Sequence, residues 1–350
     1  MNLAKSRSDA KGPRAISGIV VSVLLFAFCA CNSKSLTEQL LDETQSPFGD
    51  VGKVKDLVAK GADVNGIDER GWNPLFGASW MGRPEIVKAL LDAGADIKHL
   101  DKYNYTALME AVQGALLWTR NGKPMFDKQD YENTVKLLIA SGVNVNDTNH
   151  LGSTALQMAV EKSLGGQPTD PSIVASLVRI LLEGGADPDK GKSNLIIAAA
   201  MNGQTDAVRA LTQNHKERID RRNIDGDTAL MLAIRYEHFE TARVLADMGA
   251  DINAQNEKGQ TALIIAAEKN DVRPVESILE LKADVNKKDG EGKTALHRAV
   301  VKGHQEVIKS LLARGADPNL ADNNGMTPLK TATWANRTDV ADLLKTHGAK

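Results

Sequence analysis

A short phrase returns along this chain at a spacing that is most often 33 residues, and no other feature limits the fold as tightly. Gly-Ala-Asp, then Val, Ile or Pro, then Asn, Asp or Lys, begins at Gly61, Gly94, Gly185, Gly249 and Gly315. Looser copies begin at Gly142, Lys282 and Gly348. A second phrase, Thr-Ala/Pro-Leu, begins at Thr106, Thr154, Thr228, Thr261, Thr294 and Thr327, with degenerate copies at Asn73-Pro74-Leu75 and Ser193-Asn194-Leu195. A globular chain of 350 residues would be expected to form about two domains. A fixed short period implies instead an array in which each unit packs only on its neighbours.

The residues fit such a unit physically. Thr, Asn or Ser caps a helix by accepting a bond from an early backbone N–H. Pro in the next position has the required φ and lacks an N–H that would be orphaned anyway. Two residues past each cap stands Leu: 75, 108, 156, 195, 230, 263, 296 and 329. Five past each cap stands Ala: 78, 111, 159, 198, 233, 266, 299 and 332. Leu supplies core volume, and Ala allows neighbouring helices to approach. A second helix follows, as in Ile86-Val87-Lys88-Ala89-Leu90-Leu91, with apolar residues at helical spacing. The closing Gly suits a helix C′ position of positive φ. Asp-x-x-Gly turns before each cap, such as Asp68 to Gly71, suit hairpin tips.

With these motifs, residues 36 to 350 resemble the ankyrin-repeat family. The resemblance implies an all-α solenoid, each repeat of about 33 residues being a helix-turn-helix plus a β-hairpin loop. Eight repeats fill 67–350, starting near 68, 101, 149, 190, 223, 256, 289 and 322. Residues 31–66 form an N-terminal linker and a helical capping unit. Insertions are expected near 114–133 and 163–172, between the two helices of repeats 2 and 3, where loops are tolerated. Repeat 4, with its poor ending at Lys216-Glu217-Arg218, is expected to be a soft joint.

Residues 1–30 differ in kind. Lys5, Arg7, Lys11 and Arg14 precede a 14-residue uncharged stretch, 15 to 28, which is short for a span of roughly 20 residues. This pattern reads as a signal peptide; an uncleaved anchor is the alternative. Both cysteines, Cys29 and Cys31, lie here. The stretch Phe28-Cys29-Ala30-Cys31 resembles a bacterial lipobox, which implies lipidation of Cys31, although Phe28 departs from the usual Leu. Plain cleavage without lipidation stays open. The expected location is the bacterial periplasm, lipid-anchored to the outer membrane. Without residues 1–30 the chain has 39 basic and 44 acidic residues, a balance that argues against nucleic acid.

Partners of this family usually dock on the concave side, made of hairpin tips and inner-helix surface. Carried onto this chain, the tips are Trp72, Tyr103, Tyr105, Asp225, Asp227 and Met326. The inner-helix positions are Trp80, Met81, Arg235, Tyr236 and Trp334. Trp118 lies in the first insertion. Of the 12 Phe, Trp and Tyr residues beyond the signal, eight fall between Trp72 and Tyr131: Trp72, Phe76, Trp80, Tyr103, Tyr105, Trp118, Phe126 and Tyr131. One protein partner is therefore expected on repeats 1–3, with Trp72 and Tyr105 as contacts whose truncation spares stability.

No catalytic machinery is expected, and no cofactor, metal or small-molecule substrate. Residues 186–193, Ala-Asp-Pro-Asp-Lys-Gly-Lys-Ser, match a relaxed phosphate loop but have Ala in place of the first Gly and no preceding strand pattern. His297 and His304 occupy family positions that bond neighbouring loops. The resemblance and the signal together imply a module that sequesters or neutralises a protein. A narrower expectation is an immunity protein against a toxin, such as a phospholipase, delivered by type VI secretion. The alternative is a scaffold for a periplasmic or envelope enzyme, for example in oxidative-stress defence.

Overall fold

The computed structural model describes residues 34–117, 119–120, 123–124, 127–161, 170–213 and 218–350. The signal segment, Cys31, Trp118, Phe126 and Lys216-Glu217 lie outside the described residues. Helices α1 (Leu36–Gln45) and α2 (Val51–Ala59) form the first pair. Repeats 1 and 2 contribute α3 (Pro74–Trp80), α4 (Pro84–Asp92), α5 (Ala107–Leu117) and α6 (Lys128–Ala140). Repeats 3 and 4 contribute α7 (Ala155–Val160), α8 (Pro171–Glu183), α9 (Leu195–Met201) and α10 (Thr205–Thr212). Repeats 5 and 6 contribute α11 (Ala229–Arg235), α12 (Phe239–Asp247), α13 (Ala262–Ala267) and α14 (Val272–Glu280). Repeats 7 and 8 contribute α15 (Ala295–Lys302), α16 (Gln305–Ala313), α17 (Pro328–Trp334) and α18 (Thr338–Thr346). The odd-numbered helices pack in one row and the even-numbered in a second, so the molecule is an all-α solenoid.

The caps form as the sequence dictates. Asn73 Oδ1 accepts the Phe76 N–H at 3.0 Å, and Thr106 Oγ1 accepts that of Met109 at 3.2 Å. Leu75, Leu108, Leu156, Leu230, Leu263 and Leu296 are buried, as are Ala78, Ala111, Ala159, Ala233, Ala266, Ala299 and Ala332. Leu329, in repeat 8, is half-buried. Repeat 4 corrects the expected register by one residue. Its cap is Asn194, not Ser193, so Ile196 and Ala199 join the two layers while Ala198 is left half-buried.

The hairpin loops are turns held by side chains rather than paired strands. Asp68 Oδ1 accepts the N–H groups of Arg70 at 2.9 Å and Trp72 at 3.0 Å, and the pattern recurs at Asp101, Asn149, Asn223, Asn256, Asp289 and Asp322. Among the described residues only Arg222 and Thr228 make a bridge in these loops. The phrase that ends each repeat links it to the next. Asn65 donates to Gly94 O at 3.2 Å and accepts the Asp96 N–H at 2.7 Å. Asn146, Asn286 and Asn319 repeat this two-way bond with Gly185 and Asp187, Gly315 and Asp317, and Gly348 and Lys350.

The extra residues of repeat 2 lie between its two helices and become largely regular structure. They lengthen α5 and α6 and add a hairpin of β1 (Thr119–Arg120) and β2 (Lys123–Pro124), paired antiparallel. Those of repeat 3 lengthen α8; residues 162–169 lie outside the described residues. The longer α8 meets α10 extensively, whereas α7 and α9 meet less than most other inner neighbours.

Seven of the phrase-ending positions use Gly at φ between 88° and 102° or close to it, as at Gly315 and Gly249. The eighth is Lys282 at φ 64°, a left-handed backbone that costs a side-chain-bearing residue about 1 kcal/mol. Lys282→Gly is expected to raise stability by about that amount, read as a higher urea midpoint at unchanged m-value.

Candidate partner-binding surface

The tips and the ends of the inner helices carry most of the large exposed apolar side chains. Tyr103 stands on the second-repeat tip and Trp334, 81% exposed, ends α17. Tyr236 follows α11 directly and is exposed. Arg235 is half-buried, and Asp225 is exposed. Leu151 and Ile224 (97% exposed) occupy tips, and Met201 and Val301 lie in the C-terminal turns of α9 and α15. The sequence reading missed these four. The signal was available: they are apolar at positions where other repeats carry charge, such as Lys258 and Glu291 at the tips.

Two expected contacts are corrected. Met81 is only 4% exposed because it is the C-cap of α3 and turns into the stack. Asp227 is 3% exposed; it binds Arg235 Nη2 and Asn256 Nδ2, each at 2.8 Å, and so serves the framework. Met326 is half-buried, and its carbonyl faces His297 Nε2 at 3.2 Å. His297 thus joins neighbouring loops, and burial holds its imidazole pKa below the usual value. His304 Nδ1 lies 3.4 Å from Ala267 O, again between repeats.

The aromatic cluster of repeats 1 and 2 divides between packing and surface. Phe76 and Tyr131 are buried outright. Tyr131 donates to Trp80 O at 3.3 Å, and burial pushes its phenol upward. Trp72 is half-buried, with Trp80 at 5.6 Å, Phe76 at 6.3 Å and the Arg70 guanidinium 4.2 Å over its ring. Trp80 and Tyr105 are also half-buried. Truncating Trp72 or Tyr105 therefore removes core packing along with surface, contrary to the expectation that stability would be spared. Tyr103 is the cleaner probe, since its ring meets only His150, 5.2 Å away, among the described aromatic neighbours.

Glu110 on α5 is 2% exposed, and among the described residues its Oε2 has no hydrogen-bond partner. Burial first, then the Asp101 charge, pushes its carboxyl well above the ordinary range, with Arg70 opposing. The folded state therefore keeps a proton that the unfolded chain releases. Stability is fullest below the ordinary carboxylate pKa and is lost as pH rises through the raised one. Glu110→Gln is expected to remove that slope. Its unfolding temperature relative to the parent should climb as pH rises above the ordinary carboxylate range; a constant difference would contradict the assignment.

Residues 186–193 follow helix α8, not a strand, so the phosphate-loop resemblance lacks its structural context. Among the described residues no group of three or more His, Cys, Asp or Glu is placed to hold a metal. No described helix is long and apolar enough to cross a membrane.

Comparison with known proteins agrees with the geometry. The family described as "Ankyrin repeats (3 copies)" matches residues 30–118, 172–256 and 263–350, well over half of the chain. The unmatched residues 119–171 contain most of both insertions. Putative ankyrin repeat protein YahD of Escherichia coli (strain K12) is 33% identical over 176 residues, 43% of this chain and 84% of that protein. Ankyrin repeat and KH domain-containing protein mask-1 of Caenorhabditis elegans is 29% identical over 211 residues, 52% of this chain but only 7% of that protein. The periodic caps, the buried leucine and alanine layers and these matches identify the chain as a member of the ankyrin-repeat family, and hence as a protein-interaction module.

Proposed function

We propose that this protein holds one folded protein partner against its hairpin tips and inner helices, at the bacterial cell envelope, and thereby sequesters it. The observation that carries the reading is the row of exposed apolar side chains on that side: Tyr103, Leu151, Ile224, Met201, Tyr236 and Trp334. Exposed apolar side chains grouped on one side of a soluble stack mark an interaction surface. The framework neither needs them nor covers them, whereas it buries Met81 and Asp227. The contact surface extends from repeat 2 to repeat 8, beyond the repeats 1–3 where the aromatic count is highest.

The envelope location draws on the sequence of residues 1–31 alone: the basic start, the apolar stretch and Cys31. A rigid clamp held outside the cytoplasm suits neutralisation of a single secreted toxin, with a phospholipase as the leading class. That narrowing is by analogy of fold and location. The test is affinity capture from an envelope extract of the source organism with the purified protein as bait, followed by activity assays on whatever is retained. The reading expects one partner at a one-to-one ratio whose activity falls on binding. Turnover of a small molecule by the purified chain alone, or a retained enzyme that works unchanged, would overturn it.

A further inference from the structure

Repeat 7 contains a charge arrangement that repeat 2 reproduces with one member exchanged. In repeat 7, Asp289 stands five residues before the cap Thr294 and Arg298 four residues after it. Arg298 Nε and Nη2 lie 3.0 and 2.5 Å from Asp289 Oδ2. Glu291 Oε1 and, from repeat 6, Glu268 Oε1 lie 3.4 and 3.7 Å from the same guanidinium. One cation is thus enclosed by three carboxylates.

Counted from the cap Thr106, the same positions of repeat 2 hold Asp101 and Glu110. An acid stands where repeat 7 has its base. The positions of Glu291 and Glu268 are taken by Tyr103 and Trp80, so two aromatic rings replace two flanking acids. Asp101 Oδ1 is occupied by the N–H groups of Tyr103 and Tyr105, both at 2.8 Å. Glu110 is buried, and its Oε2 has no partner among the described residues. The base whose charge reaches it is Arg70, and that guanidinium is engaged by Asp68, Gln45 and the face of Trp72. A buried carboxyl left without a donor is unfavourable, and aromatic faces attract organic cations. Repeat 2 thus keeps the acid of the repeat 7 pair and lacks its base.

We infer that the Asp101–Glu110 pair, with Tyr105 beside it and Trp80 and Tyr103 at the register positions of the two flanking acids of repeat 7, seats one lysine or arginine side chain of the protein partner. The inference rests on the proposal that this side of the stack holds a protein. An entering cation would draw the proton of Glu110 off to solvent, as an opposite charge favours the ionised form. The two carboxylates so formed, one of them already accepting two N–H groups, are too few for a bare metal ion, and nearby aromatic rings favour an ammonium or guanidinium group. Tyr103 joins the seat to the exposed row, so a basic side chain entering here would belong to a partner already lying along the tips.

The test uses the purified protein and three capped pentapeptides, Gly-Gly-X-Gly-Gly, with X as lysine, arginine or norleucine. The nuclear magnetic resonance signals of the Trp72 and Trp80 indole N–H groups report binding. The lysine or the arginine peptide is expected to shift Trp80 saturably, and the two arms show which cation is preferred. Norleucine should shift nothing. Glu110→Gln should weaken the response at least tenfold. Glu110→Arg, which rebuilds the repeat 7 pair, should abolish it and raise the unfolding temperature. The seat is refuted if norleucine acts like lysine, if Glu110→Gln responds like the parent, if calcium chloride alone produces the shift, or if no peptide produces one. Should partner capture survive Glu110→Gln undiminished while the peptides stay silent, the seat falls and the protein-binding proposal stands. Should the parent protein capture nothing while the lysine peptide binds, the opposite holds.

Discussion

Gly114→Val is expected to unfold the N-terminal part of the stack while repeats 5 to 8 stay folded. Gly114 lies inside α5, where the inner helix of repeat 2 crosses the end of α3. A Cβ built there would stand 2.0 Å from Trp80 O, backbone against side chain, with no flexible group to yield. The same carbonyl receives the Tyr131 hydroxyl, so α5 and α6 close on one point of repeat 1. Overpacking typically costs 1–3 kcal/mol, and with backbone as the obstacle we expect about 3 kcal/mol. Repeats contact only their neighbours, so the loss should stay local. Hydrogen exchange should show protection lost across residues 74–140 and kept across 229–346, with a second, earlier step in urea unfolding. A single unchanged transition would mean that α5 does not approach α3 as described.

Tyr103→Ala combined with Trp334→Ala is expected to reduce partner affinity roughly a thousandfold with little change in unfolding temperature. Truncating an aromatic hot spot costs about 2 kcal/mol or more. The two sites belong to repeats 2 and 8 and share no neighbour among the described residues, so their effects should add. About 4 kcal/mol corresponds to nearly three decades in Kd. Both side chains are largely exposed, hence the small stability change. Trp72→Ala provides the contrast: it should lower affinity and stability together, because that ring packs on Phe76 and Trp80. Titration calorimetry alongside a thermal scan separates the two behaviours.

The solenoid was legible because its determinants are local and periodic. Thr106, Leu108 and Ala111 state a cap, a layer and a close approach within six residues, and the chain says so again every 33 or so. What escaped was what periodicity does not encode. Ser193-Asn194-Leu195 offered two adjacent capping residues, and tertiary packing chose the second, which moved Ile196 and Ala199 into the layers. Met81 and Asp227 sit at positions that face outward in the repeat pattern. A C-cap turn buried one and an ion pair with Arg235 buried the other. Leu151 and Ile224 carry no aromatic signal, although aliphatic side chains at tips are equally conspicuous against the charged tips of repeats 6 and 7. The Asp101–Glu110 pair needed both readings. Sequence register aligns it with Asp289–Arg298, but only the structure shows that Glu110 is buried and that its Oε2 has no partner among the described residues.

The central claim is that the hairpin tips and inner helices receive a folded protein. Hydrogen exchange of the protein with and without its captured partner tests that most directly. Binding should slow exchange in the tips around Tyr103, Leu151 and Ile224 and in the C-terminal turns of α9, α11 and α17, leaving the even-numbered helices α10, α12, α14 and α16 unchanged. Protection confined to those even-numbered helices, or none anywhere along the stack, would contradict the account.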